Sequence, residues 1–144
     1  MSAYTERFTE VNELLVNQVV QAGAAEANTG WLDVSRFHRV FAQVIPIGAP
    51  GVDIDVDIEE ATSAAGANAQ ALDGGNKDIT INAADTAPSA IEIRGEEFDV
   101  NDGFRYINIE TTPAGQSATY VVQVFGIVPR YAAVATTNWD SITD

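Results

Sequence analysis

Asp53, Asp55, Asp57 and Glu59 alternate with Val52, Ile54, Val56 and Ile58. Carboxylates in such number raise calcium first, an ion that takes roughly six to eight oxygen ligands. On an extended strand, however, alternate side chains stand about 6.6–6.8 Å apart in a straight row. One ion cannot gather several of them, and the run lacks the glycine and spacing of an EF-hand loop. A solvated strand face, or an anionic patch for a basic partner, is the stronger reading. Glu96, Glu97, Asp99, Asn101 and Asp102 form a second oxygen-rich stretch, but turn-forming Asx residues account for it.

Glu92, Glu96 and Glu97 bring glycoside hydrolysis to mind, which needs two carboxyls about 5–9.5 Å apart across a sugar. In a chain with 21 Asp and Glu, such neighbours arise by chance. The single histidine, His38, would need a nucleophile and an orienting acid to act as a base. No nucleophile-elbow motif accompanies it, so it reads as a structural or interface residue. Trp31 and Trp139 could stack on sugars, or pack at a domain edge or subunit contact. The glycine-rich segments match neither a phosphate loop nor a dinucleotide fingerprint. No catalytic, cofactor-binding or metal-binding residue is assigned, and the chain is not expected to be an enzyme.

The elements that would hold these residues are mostly strands. Period-two alternation at residues 52–60 predicts a strand with one buried and one wet face. Residues 37–47 read as a strand buried on most of both sides, with the turn at Gly48-Ala49-Pro50-Gly51 joining it to the acidic strand as a hairpin. Further strands are predicted at 78–82, 90–94, 104–110 and 118–128, and a short helix near 68–72. Turns fall at Asp73-Gly74-Gly75-Asn76, Asn101-Asp102-Gly103 and Pro113-Ala114-Gly115-Gln116. Short strands and turns at this spacing give a mainly β fold, an antiparallel sandwich or jelly roll.

Residues 4–22 differ. Tyr4, Phe8, Val11, Leu15 and Val19 recur at spacings of three and four, which predicts a helix. The weak helix propensity of Val-Asn-Gln-Val-Val keeps an extended arm open as the alternative. With the small-residue linker at 23–30, residues 1–30 form an arm or helix and residues 31–144 the β domain.

Composition narrows the function classes. A chain of 144 residues fits one domain with an ordinary core. A net charge of −14 disfavours nucleic acid and anionic membrane surfaces, and suits a basic partner surface. There are no cysteines, which excludes disulfides and Cys-based zinc sites. The polar start, Met-Ser-Ala-Tyr-Thr-Glu-Arg, lacks the basic and apolar regions of a secretion signal, and no run approaches about 18 apolar residues. Synthesis in a host cytoplasm is expected.

Several stretches resemble small decoration, or cement, proteins encoded with the heads of tailed bacteriophages. They are Leu15-Val16-Asn17-Gln18-Val19-Val20, Trp31-Leu32-Asp33-Val34-Ser35-Arg36-Phe37-His38-Arg39-Val40 and Asp57-Ile58-Glu59-Glu60-Ala61-Thr62. Glu92-Ile93-Arg94-Gly95-Glu96-Glu97-Phe98-Asp99-Val100, Gly103-Phe104-Arg105-Tyr106-Ile107 and Pro129-Arg130-Tyr131 complete the set. Together they run over most of the chain, and none is a chemical motif.

The resemblance implies a capsid-stabilising virion protein, often a homotrimer, seated on the capsid exterior with the major capsid protein as partner. An N-terminal segment would reach onto a capsid subunit or a neighbouring copy. Expected interface residues are Tyr4, Phe8, Val11, Leu15, Val19, Trp31, Arg36, Arg39, Arg130 and Tyr131. Arg36, Arg39, Arg94, Arg105 and Arg130 are expected to pair with acids within the fold or between subunits. Alternatives are another virion component, at the head–tail joint or in the tail, and a carbohydrate-binding β-sandwich.

Overall fold

The computed structural model describes residues 12–129. Its strands are β1 (Asn12–Gly23), β2 (Ala27–Asn28), β3 (Leu32–Asp33), β4 (Phe37–Pro46), β5 (Ile54–Ala61), β6 (Gln70–Ala71), β7 (Ile79–Ile81), β8 (Ser89–Arg94), β9 (Tyr106–Pro113) and β10 (Ala118–Pro129). They form two antiparallel sheets. One runs β1-β10-β4-β8, and the other runs β2-β9-β5-β6, with β3 beside β9 and β7 beside β5.

The pairings are nested. β1 pairs with β10, β2 and β3 with β9, β4 with β8, and β5 with β7. The chain is thus one long hairpin folded over on itself, with β10–β4 and β9–β5 joining the folded halves into sheets. This is the connectivity of a jelly roll.

Alternation builds the core. Ile54, Val56 and Ile58 of β5 are fully buried, while Asp55 and Asp57 face out. Val40, Ala42 and Val44 of β4 meet Val122 and Val124 of β10, Ile91 and Ile93 of β8, and Ile107 and Ile109 of β9. Each Val or Ile side chain among them removed from water is worth about 1.5–3 kcal/mol before entropy is counted.

Three expectations are corrected. Residues 12–22 are not helical: they lie in β1, hydrogen-bonded along β10. Register shifts between Leu14 and Val16 and between Val20 and Gly23 interrupt the period-two alternation. Of the predicted stripe only Leu15 and Val19 fall in β1, four residues apart, a spacing that a strand and a helix share. The β-branched pair Val19-Val20 also favours a strand. Residues 4–11 lie outside the described residues.

The hairpin expected from β4 into β5 is absent as well. β4 and β5 sit in different sheets, and residues 47–53 cross between them. Two adjacent strands with a glycine turn cannot reveal whether their partners are each other or more distant strands. The short helix expected near 68–72 is replaced by β6 and a 3-10 turn at Leu72–Gly75, whose Leu72 is fully buried.

Candidate functional site

The two outer faces of the sandwich differ in charge. On the second sheet, Asp57 lies opposite Glu110 and Glu59 opposite Asn108. Burial, then the nearby carboxylates of Asp78, Asp55 and Glu59, push the Asp57 carboxyl above its ordinary value. Burial and then Glu59, Glu26 and Asp57 push Glu110 up in the same way. Asn108 sits among them, its Nδ2 donating to Asn28 Oδ1 at 2.9 Å and to Glu110 Oε1 at 3.2 Å. The row of acids read from the sequence is therefore a continuous anionic face.

One end of the row is tied to β7 and the turn after it. Asp53 Oδ1 accepts from the Ala83 N–H at 2.8 Å, and Asp55 Oδ1 accepts from the Thr80 hydroxyl at 2.9 Å. Among the described residues no group of three or more His, Asp or Glu is placed to hold a metal ion.

The outer face of the first sheet is of another kind. Gln43 Nε2 donates to Gln123 Oε1 at 2.6 Å, and Gln123 Nε2 donates to Asn17 Oδ1 at 3.1 Å. These amides form a ladder across β4, β10 and β1. Beside it, Val19, Val121 and Ile45 make an apolar row in register. On the other side the rings of Phe41 and Phe125 lie 6.1 Å apart. Glu92 on this face is matched by Arg39, at 3.1 Å.

The expected interface residues scatter over this frame. Val19 is 63% exposed on the amide face, whereas Leu15 is half-buried against the core. Trp31 is half-buried with its indole over Gly66, whose φ of +74° and missing Cβ leave room for the ring. Arg36 Nη2 reaches Glu13 Oε1 at 3.0 Å, and its guanidinium lies 5.0 Å from the centre of the Phe37 ring. Arg39 pairs with Glu92 in the open. Tyr4, Phe8, Val11, Arg130 and Tyr131 lie outside the described residues, as does Trp139.

Glu96 and Glu97, two of the other candidate acids, are engaged. Arg94 approaches Glu96 at 3.7 Å. Lys77 Nζ meets Glu97 Oε1 at 2.8 Å, and the Arg94 N–H donates to Glu97 Oε2 at 2.7 Å. Burial acts to raise the Glu97 pKa, but those hydrogen bonds and the charges of Lys77 and Arg94 outweigh it and hold the carboxyl below its ordinary value. Arg105 stacks 5.3 Å from the Tyr106 ring centre, with no acid at contact distance within the described residues.

Two features of these surfaces were not foreseen from the sequence. One is the amide ladder, whose only trace is polar, uncharged residues on the wet face of strands. The other is a cavity of about 300 Å³ at one end of the sandwich, walled by Phe37, Phe98 and Phe104 with His38, Arg39 and Arg105 at its mouth. It assembles from residues 34–40 and 95–105, which no local pattern relates.

No family model matches the chain, and no curated protein matches it. Among solved structures, it is similar to the PBSX exported protein XepA, with a TM-score of 0.55 at 12% identity over 97% of this chain. The chain spans 44% of that protein's length. Weaker likenesses are to a pilus protein of Bacillus endospore appendages (TM-score 0.43, 13% identity, 89% of this chain and 96% of that one) and to a chain of Desmodium yellow mottle tymovirus (0.41, 10%, 85% and 89%). At such identity the likeness to XepA speaks to the fold alone, and the two weaker ones add nothing to it.

Proposed function

We propose that this chain is a structural virion protein that binds the outer surface of a bacteriophage capsid and stabilises it. The observation that carries the reading is the contrast between the two outer faces. The amide and apolar face of β1, β10 and β4 can lie on a protein surface at a lower desolvation cost than a charged face, because it is largely uncharged and two hydrogen bonds already link its three amides. The anionic face, with Asp57 and Glu110 already crowded, belongs in water. A copy docked by the first face turns the second to solvent.

Support also comes from the stretches that resemble head decoration proteins, and from a sandwich fold shared with an exported protein of PBSX. β1 is engaged along β10 and so is not the reaching segment of this reading. Stabilisation would act by mass action: a protein that binds only the mature shell shifts the equilibrium toward it. Many weak contacts on a repeating lattice suffice through avidity. A homotrimer is the expected form.

The test uses heads of the parent phage stripped of this chain. Added back, the purified protein should co-sediment with them and raise the temperature at which they release DNA. Failure to bind, or binding without any rise, would overturn the reading. Rings formed by the chain alone would instead favour a head–tail joining role.

A further inference from the structure

The cavity at the end of the sandwich differs in its lining from the anionic face of the second sheet. Its walls are the rings of Phe37, Phe98 and Phe104, all buried, and its mouth carries His38, Arg39 and Arg105. Among the described residues no Asp or Glu lines it, although the chain has 21 of them against 7 Lys and Arg. A shallow groove running up to the same mouth is lined by His38, Arg39, Arg94 and Glu96. Arg39, Arg94 and Arg105 line the cavity or the groove, Arg39 and Arg94 in exposed pairs with Glu92 and Glu96.

We propose that this cavity is a docking site for a polypeptide segment that carries one large apolar side chain beside a carboxylate. A volume of about 300 Å³ is the lower limit of small-ligand pockets and suits one bulky side chain better than an oligosaccharide. The aromatic walls take the apolar group. Arg39 and Arg105 are exposed, so either guanidinium can turn to a carboxylate at the mouth, and Arg39 need only exchange its exposed partner Glu92. The proposal concerns a different surface from the amide face and does not depend on capsid binding.

The test is a titration of the isotope-labelled full chain with three end-blocked tripeptides, Asp-Phe-Asp, Asp-Ala-Asp and Lys-Phe-Lys. The readout is the amide shifts of Phe37, Phe98, Gly103 and Phe104. Saturable shifts with Asp-Phe-Asp at about millimolar concentration are expected, and binding at least about tenfold weaker for the other two. The double variant Arg39→Gln/Arg105→Gln should weaken Asp-Phe-Asp by roughly three- to tenfold at unchanged melting temperature. Val100→Glu, which places a carboxylate at an exposed lining position, should do the same by repulsion. Equal binding of Lys-Phe-Lys or Asp-Ala-Asp, or no shifts up to about 10 mM, would overturn the proposal. So would binding of phenylacetate as tight as the peptide, which would mark a site for small aryl anions.

Discussion

The hydroxyls of Thr111 and Tyr120 meet at 2.8 Å inside the sandwich, one from each sheet. Thr111 belongs to β9 and Tyr120 to β10, and both are buried. Thr111 Oγ1 also lies 3.3 Å from the Ala27 carbonyl oxygen. With the threonine proton given to that carbonyl, Tyr120 is the donor to Thr111. This bond ties the two sheets together at a point where the rest of the core is hydrocarbon.

The two halves of the bond should not cost the same. Tyr120→Phe removes a donor and leaves Thr111 its bond to Ala27, at about 1 kcal/mol. Thr111→Val leaves the Tyr120 hydroxyl buried without an acceptor and takes a bond from Ala27, at about 1–3 kcal/mol. The double variant should fall short of the sum by roughly 0.5 kcal/mol or more. Urea unfolding of the four proteins measures this, and strict additivity would mean that the contact contributes nothing.

Acidification should at first stabilise the protein. Asp57 and Glu110 have folded pKa values above their ordinary 3.8 and 4.5. Between the ordinary and the folded values, the folded chain holds protons that the unfolded chain has lost. Stability therefore falls as pH rises through that window and is regained as pH falls through it. Glu97 has the opposite sign: its contribution is present above about 4.5 and is lost as pH drops through its lowered value. Melting temperature should thus peak near the ordinary carboxylate value of about 4.5, where the gain from Glu110 is complete and the loss from Glu97 begins. Asp57→Asn/Glu110→Gln should raise it at pH 7 and flatten the rise on acidification. Both groups are solvent-exposed in part, so a gain of only a few tenths of a kcal/mol is expected, shrinking further in salt.

Gly126 should not tolerate a side chain. A Cβ there would overlap the ring of Phe37, which lies across the glycine and walls the cavity. Gly126→Ala should cost about 1–3 kcal/mol, and Phe37→Leu should cost less in the Gly126→Ala background than in the native one. Thermal denaturation of the two single variants and the double shows whether the costs are coupled.

Much of this fold is legible in the chain. Ile54, Val56 and Ile58 alternate with acids, and they are the fully buried face of β5. The run 118–128 was readable as a strand because Val122 and Val124 need a core on one side and the mixed residues Val121 and Gln123 do not. Partners are another matter. Nothing near Pro46 says that β4 will pair with β8 and β10 and leave β5 to the other sheet. Nested pairing is a long-range property, and a turn reports only its own geometry. In β1 the local signal misleads, since the four-residue spacing of Leu15 and Val19 fits a strand as well as a helix and bulges at Leu14–Val16 and Val20–Gly23 break the alternation there. The candidate surfaces fared likewise: the acid row is written in one strand, while the amide ladder draws one residue from each of three.

Removing residues 1–29 should therefore unfold the chain instead of freeing a β domain. The cut deletes β1, exposes the edge of β10 and strips Leu15, Val16 and Val20 from the core they pack against. It also removes β2 and with it the Asn28 contact to Asn108. A protein starting at Gly30 should lose its cooperative melting transition and aggregate, as an unpaired apolar edge does. A soluble, cooperatively melting product would mean that β1 is dispensable and would restore an N-terminal segment separate from the sandwich.

Val19→Asp separates docking from folding. Val19 is 63% exposed, so a charge there should change stability by no more than about 0.5 kcal/mol. It would sit in the apolar row with Val121 and Ile45, on the face proposed to meet the capsid. Burying an unpaired carboxylate against a partner costs several kcal/mol in contacts of this kind. Co-sedimentation with stripped heads should fall at least about tenfold, with the melting temperature of the free protein unchanged. The complementary change, Asp55→Ala on the anionic face, should leave capsid binding intact. If Val19→Asp binds as the native chain does while Asp55→Ala does not, the orientation must be reversed, with the acids seated on a basic capsid surface and the amide ladder turned to water.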